Sequence, residues 1–316
     1  YFFYILIIVF VCDKHFLYFF GLRIFLVISG ALSIYGLMQY VYFMFSGIAL
    51  PWYLPFLEIK YGNELIENSS YYFSEFGYRF SSLFSEPAHF SQYIGLALLL
   101  LVLQEKVIFS KRFDSSLMFL LAISLLLSAS GTGFALLILV FIAFTKVRIL
   151  QNKSILGLLF FIYISIPAIA FVLLNFSTGF ERMTSFSDVS SIYIRVIRPY
   201  SVYFDMPVLQ MIFGVGYGNY SEYVLSLNTL TAFELERNIT WANSGAFLLV
   251  GVGGFALLPY LYFHYSISRK CIISMFTTLF IVLHLIYSDL PLSIFYILSI
   301  AFVLSVGKSG ESFHKD

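Results

Sequence analysis

Charge is what this sequence has least of. Only 11% of its 316 residues are Asp, Glu, Lys or Arg, against roughly 25% in an ordinary soluble domain. With 60% apolar residues and a mean hydropathy of +0.90, there are too few charges to cover the surface of a soluble chain of this size, which excludes most soluble functions. Cysteine is also scarce. Cys12 and Cys271 lie at the ends of apolar segments with no metal-type spacing, so packing is expected of them and no disulfide framework. No H-E-x-x-H, Cys/His metal set or G-x-S-x-G occurs, so neither metal-dependent nor serine-hydrolase chemistry is expected. No cofactor is implied. A net charge of +1 says little as a total, and no nucleic-acid partner is expected. No charged n-region or small-residue cleavage site precedes Asp13, which argues against a secretory signal peptide. The sequence opens at Tyr1 inside an apolar run, and an N-terminal truncation is expected.

What the chain has is long apolar runs. A bilayer core of roughly 30 Å needs about 20 apolar residues per helix. Candidate spans are a remnant at 1–12, then 17–46, 87–104, 116–130, 132–146, 155–175, 242–266, 271–288 and 290–307. The expected fold is all-α: a polytopic transmembrane bundle of about nine passes forming a single integral membrane domain over 1–316. Residues 17–46 are long for one crossing, implying tilt or projection. Residues 116–146 read either as one long helix or as two joined at Ser130-Gly131-Thr132-Gly133. Basic loops on either side of this segment, with Lys106, Lys111 and Arg112 before it and Lys146, Arg148 and Lys153 after it, favour two.

The same rule sets an orientation with the C-terminus cytoplasmic. The inner side then holds twelve Lys/Arg and five acids, the outer side six Lys/Arg and twelve acids. Two segments, 51–86 and 176–241, are too polar for lipid and too long for turns. They are rich in Tyr, Phe and Gly, so both are expected to fold against the outer face and to carry the chemistry there.

Four clusters stand out. In the first, Arg79 through Phe90, Pro87 suits the first turn of a helix capped by Ser85 or Glu86. Glu86 and His89, three apart, then share a face. They form either a site facing the outer loop or an interfacial cap. In the second, Arg195 and Arg198 have the same spacing ahead of Pro199. Two neighbouring guanidiniums call for an anion between them, with phosphate the best geometric match; the alternative is pairing with Glu181, Asp188 or Asp205.

The third cluster, Gly214-Val215-Gly216-Tyr217-Gly218-Asn219-Tyr220, lacks the spacing and context of a nucleotide loop. Its glycines allow positive φ and close backbone approach, to a ligand or in a simple reversal. In the fourth, Trp241-Ala242-Asn243-Ser244-Gly245, Asn243 or Ser244 caps a returning helix. Glycines at 245, 251, 253 and 254 there admit a close neighbour. His264 and His284 are expected in the core or at an interface, and Asp289-Leu290-Pro291 in an outer turn.

Taken in order, Ser85-Glu86-Pro87-Ala88-His89-Phe90, the Ser128–Gly133 turn, the loop with Arg195 and Arg198, the Gly214–Tyr220 run and Ala242-Asn243-Ser244-Gly245 resemble the O-antigen polymerase and O-antigen ligase superfamily. The likeness spans roughly residues 79–260. It implies a Wzy-type polymerase of the bacterial inner membrane, joining undecaprenyl-pyrophosphate-linked oligosaccharide repeat units into O-antigen or capsular-type polysaccharide at the periplasmic face. It also implies the lipid bilayer as environment, with a chain-length regulator and a flippase as partners.

On that resemblance Arg195 and Arg198, with Arg79 as a third cation, would neutralise the pyrophosphate. Glu86 and His89, with Asp205 in reserve, would orient or deprotonate the acceptor hydroxyl. Gly214, Gly216, Gly218 and Asn243 would line the substrate. The ligases of the superfamily carry a histidine in the large loop; residues 176–241 contain none, which favours polymerase over ligase. A multi-pass exporter or flippase of lipid-linked sugars is the alternative, weakened by the absence of an internal repeat. A membrane acyltransferase is weakened by the poor facing geometry of His284 and Asp289.

Overall fold

The computed structural model describes residues 17–51, 78–149, 193–231, 235, 243–287 and 298–305, except 85, 105, 228–229, 270 and 303. The expected spans at 1–12 and 155–175, most of the one at 290–307, and most of the first outer loop lie outside the described residues. Every regular element among the described residues is helical.

Two compact units divide the chain. Helices α1 (Tyr18–Ser46), α2 (Pro87–Leu103), α3 (Lys111–Leu127) and α4 (Gly131–Phe144) belong to one. Helices α5 (Arg198–Phe204), α6 (Val208–Phe213), α7 (Tyr220–Ser226), α8 (Ser244–Ser268) and α9 (Ile272–Tyr287) belong to the other. Two helices among the described residues are long and apolar enough to cross a membrane: Tyr18–Ser46 and, within α8, Gly245–Ser266.

In the first unit α2 is the central helix. It is apolar on every side, and every residue from Ile94 to Leu103 is buried, the pattern of a helix surrounded by others. Gly95 makes this possible on one side, since a Cβ there would sit 2.5 Å from Leu136 Cδ1 of α4. On α1 the inward stripe includes Leu22, Phe25, Leu26, Ser29, Gly30 and Ser33. Phe20, Ile24, Val27, Ile34, Met38 and Val41 point outward and are exposed, an apolar outer surface suited to lipid.

The region expected to hold one or two spans contains two helices. α3 ends at Leu127 and α4 begins at Gly131, with Ala129 between them at φ 47°. α3 starts five residues before the expected 116, for a local reason. The Ser110 hydroxyl accepts from the Phe113 N–H at 3.2 Å, and the Asp114 carboxylate accepts from the N–H groups of Ile108 (2.8 Å) and Phe109 (3.2 Å). The serine cap satisfies one orphan donor of the first turn, the Asp114 carboxylate ties the two residues before it to that turn, and together they carry the helix out past the apolar run.

In the second unit α8 packs against α9 and also against the short helices α5 and α6. α8 is not continuous. Gly253 has φ 78° and ψ 166°, which breaks the helix into an N-terminal stretch and a longer C-terminal one.

Candidate functional site

Arg79, Glu86 and His89 sit on a short segment strapped to the end of α1. The Gln39 carboxamide holds the Ser82 backbone from both sides: Oε1 accepts from the Ser82 N–H at 2.8 Å and Nε2 donates to the Ser82 carbonyl at 3.0 Å. Nε2 also donates to the Pro51 carbonyl at 3.0 Å, and the Ser82 hydroxyl donates to the Leu32 carbonyl at 2.7 Å. The clamp holds Ser82 at φ 55°, a left-handed geometry that a side chain other than Gly enters at a cost.

Aromatic packing completes the strap. Tyr78 stacks on Phe43 at 4.1 Å, and Phe80 meets Phe90 edge-on at 5.4 Å. Gly36 leaves room for the Phe80 ring, because a Cβ there would come within 2.6 Å of it. Burial pushes the Tyr78 phenol well above its ordinary pKa, with a smaller contribution from Tyr35.

Pro87 opens α2, and Glu86 occupies the cap position with extended backbone (φ −136°, ψ 146°). The Glu86 carboxylate makes no capping bond to the helix; its carbonyl accepts from the Phe90 N–H at 3.2 Å. Ser85, the other expected cap, lies outside the described residues. His89 follows within the first turn, partly buried like Glu86 and Arg79.

In the second unit Arg195 lies in a π-helical turn, Tyr193–Ile197, that runs directly into α5, whose first residue is Arg198. A π turn contains more residues than an α turn, so positions 195 and 198 are set further around the axis than the expected i, i+3 pair. Single π turns of this kind are frequent at functional sites. The Arg198 side chain is only 8% exposed. Asp205 caps the C-terminal end of α5 and is exposed. Its carboxylate stands near Tyr223 of α7: burial and, second, the Asp205 charge raise the Tyr223 pKa.

The three glycines of the 214–220 run all adopt positive φ: 76° at Gly214, 107° at Gly216 and 93° at Gly218. The run folds back on the broken part of α8. Val215 donates to the Val250 carbonyl and Gly216 to the Gly251 carbonyl, both at 2.9 Å. In an unbroken helix these two carbonyls would accept from residues 254 and 255, so the loop backbone replaces the bonds that the Gly253 break removes.

The approach is close enough that a Cβ on Gly214 would collide with the Gly251 carbonyl, and one on Gly253 with the Ile212 carbonyl. Asn219 closes the loop by donating from Nδ2 to the Val215 carbonyl at 3.1 Å. A small core of Val202, Met206, Tyr220, Val224 and Val250 lies beneath.

Asn243 is the cap of α8. Its Oδ1 accepts from the Ala246 N–H at 2.8 Å, and the residue is fully buried. At Gly245 a Cβ would stand 2.6 Å from the Tyr200 hydroxyl, so α5 presses on the first turn of α8. The π turn also touches α9. In this unit Arg198, Gly214, Gly216 and Asn243 therefore lie on elements that converge on the N-terminal half of α8, while Gly218 has open space around it.

Three features escaped the sequence reading: the Gln39 clamp, the break at Gly253, and the nearness of Asp205 to Tyr223. A single amide inside the apolar run 17–46 was the visible trace of the first. His264 and His284 are both buried, as expected, and the His284 Nδ1 is 2.6 Å from the Phe280 carbonyl of its own helix. Among the described residues no group of three or more His, Cys, Asp or Glu side chains is placed to hold a metal ion. Comparison of the chain with protein-family models, curated proteins and solved structures returned no match.

Proposed function

We propose that this protein is a multi-pass membrane glycosyltransferase of the polysaccharide-polymerase type, acting at the outer face of a bacterial plasma membrane on oligosaccharides linked to undecaprenyl pyrophosphate. In this reading the bundle makes about nine passes with the C-terminus in the cytoplasm. The large outer segment binds the pyrophosphate, and the growing chain moves from its carrier to the hydroxyl of the next unit.

The observation that carries the reading is the buried arginine Arg198. It sits at the junction of a π turn and a helix, in an uncommonly charge-poor chain, on an element packed against a membrane-length helix. The fork of a guanidinium suits phosphate oxygens. A sugar transfer with a pyrophosphate leaving group needs preorganised positive charge where the leaving oxygens gain charge. Arg198 and Arg195 are assigned that role. Asp205, the reserve candidate that lies in the same unit, is assigned to the acceptor hydroxyl, which a carboxylate orients and deprotonates.

Lipid-linked repeat units supplied to cells that lack the native protein provide the test. Protein carrying Arg195→Ala or Arg198→Ala, present at the native level, is expected to make no long polysaccharide. Long chains at native level from both variants would sink the assignment.

One observation favours the exporter reading: α8 is broken inside a membrane-length helix, a feature shared with many transporters. Transporters use the freed carbonyls of such breaks for ions or substrate. Here Val250 and Gly251 already spend theirs on the 215–216 backbone, which leaves the polymerase the better-supported reading.

A further inference from the structure

We infer that α6 (Val208–Phe213) is inserted into the membrane, with lipid acyl chains covering its exposed apolar face. Residues 176–241 read as an outer loop, yet α6 does not lie at the end of α8. It packs where α8 breaks: the Ile212 carbonyl abuts Gly253, and Gly214 abuts Gly251. Gly251 is seven residues into α8, about 10 Å from its start at 1.5 Å per residue. The apolar window of α8 that can cross a membrane runs from Gly245 to Ser266. The short helix therefore lies alongside the spanning stretch itself.

Its composition is inverted relative to a helix in water. From Met206 to Ser221 the chain carries no charge. Val208 (71% exposed), Leu209 (72%) and Phe213 (66%) face outward, and no residue of α6 is buried. The one amide in the helix, Gln210, turns its Oε1 inward instead, into a buried place. This apolar surface adjoins the helix that exposes Phe255, Leu258, Leu261 and Tyr262. A patch of this kind facing water would be an association liability, whereas against acyl chains it needs no partner.

Irregular backbone at membrane depth survives only when its polar groups are satisfied within the protein. The bonds from Val215 and Gly216 to Val250 and Gly251 do this for two of the carbonyls at the break in α8. The glycine run is thus the backbone patch that lets a re-entrant segment and a broken helix share one level of the bilayer.

The inference rests on α8 crossing the membrane, and the test separates the two claims. Spin labels are placed at Leu209→Cys, Leu258→Cys and Glu222→Cys in an otherwise cysteine-free protein in liposomes, and collision with oxygen and with a water-soluble nickel chelate is measured. Oxygen-rich, nickel-poor collision at 209, matching 258 and opposite to 222, is the expected result. Nickel-rich collision at 209 with 258 still oxygen-rich overturns the insertion alone. Low collision with both reagents at 209 means protein covers the face, and likewise overturns it. Nickel-rich collision at 258 shows that the spanning reading of α8 has failed, and the insertion with it.

Discussion

Gln39 and Ser82 are joined by two hydrogen bonds, one to the N–H and one to the carbonyl of the same backbone residue. An amide inside an apolar helix thereby anchors the strap that carries Arg79 toward Glu86 and α2. Replacing Gln39 by Ala leaves both Ser82 groups buried without these partners, at a cost of about 1–3 kcal/mol. Gln39→Ala is expected to lower the midpoint of thermal unfolding in detergent. Unchanged stability would mean that the strap is held by its aromatic contacts alone.

Glycine replacements should rank by what their Cβ would meet. Gly214→Ala and Gly253→Ala combine positive φ with collision against the backbone, and both are expected to abolish monodisperse protein on size-exclusion chromatography. Gly218→Ala, with open space around it, carries only the left-handed strain of about 1–2 kcal/mol and is expected to survive.

Asn243→Ala removes the side-chain cap of α8, worth about 1 kcal/mol. Asn243→Ser keeps a capping hydroxyl acceptor without burying a charge and is expected to retain part of that stability, which paired thermal melts would show.

The phenol of Tyr223 is held above its ordinary value of 10.0 by burial first and by the Asp205 carboxylate second. The folded state therefore keeps this proton after the unfolded chain would lose it. The group costs nothing at neutral pH, and stability falls only as pH rises from about 10 through the folded value. Asp205→Asn is expected to lower the Tyr223 pKa without returning it to 10.0, because burial is the larger cause. Carbon-13 tyrosine spectra, assigned with Tyr223→Phe, measure it.

Arg198 should not tolerate its nearest relative. Lysine keeps the charge but not the planar fork, so Arg198→Lys is expected to lose activity nearly as far as Arg198→Ala, by about 10²–10³-fold on the scale of a lost transition-state donor. Full activity in Arg198→Lys would show that charge alone suffices.

Helix existence was legible where apolar runs met clear ends. Pro87 marked the start of α2, and the serine–glycine stretch at 128–133 marked the turn between α3 and α4. The early start of α3 was not, because a polar first turn with Lys111, Arg112 and Asp114 reads as loop until the Ser110 and Asp114 caps are seen. The break at Gly253 was hidden for a related reason: a glycine inside an apolar run reads equally as a packing notch. The glycine run 214–218 was recognisable as positive-φ backbone suited to close approach. Its partner, the carbonyls of Val250 and Gly251, lies some 35 residues away and is a tertiary fact that no local pattern carries.

The central claim is tested most directly by purified protein in liposomes given undecaprenyl-pyrophosphate-linked repeat units, with no ion gradient and no acyl donor. Stepwise elongation of the glycan, lost in folded Arg198→Ala protein, is the outcome this account requires. Vectorial movement of the lipid-linked units without elongation, or equal elongation by the Arg198→Ala protein, would contradict it.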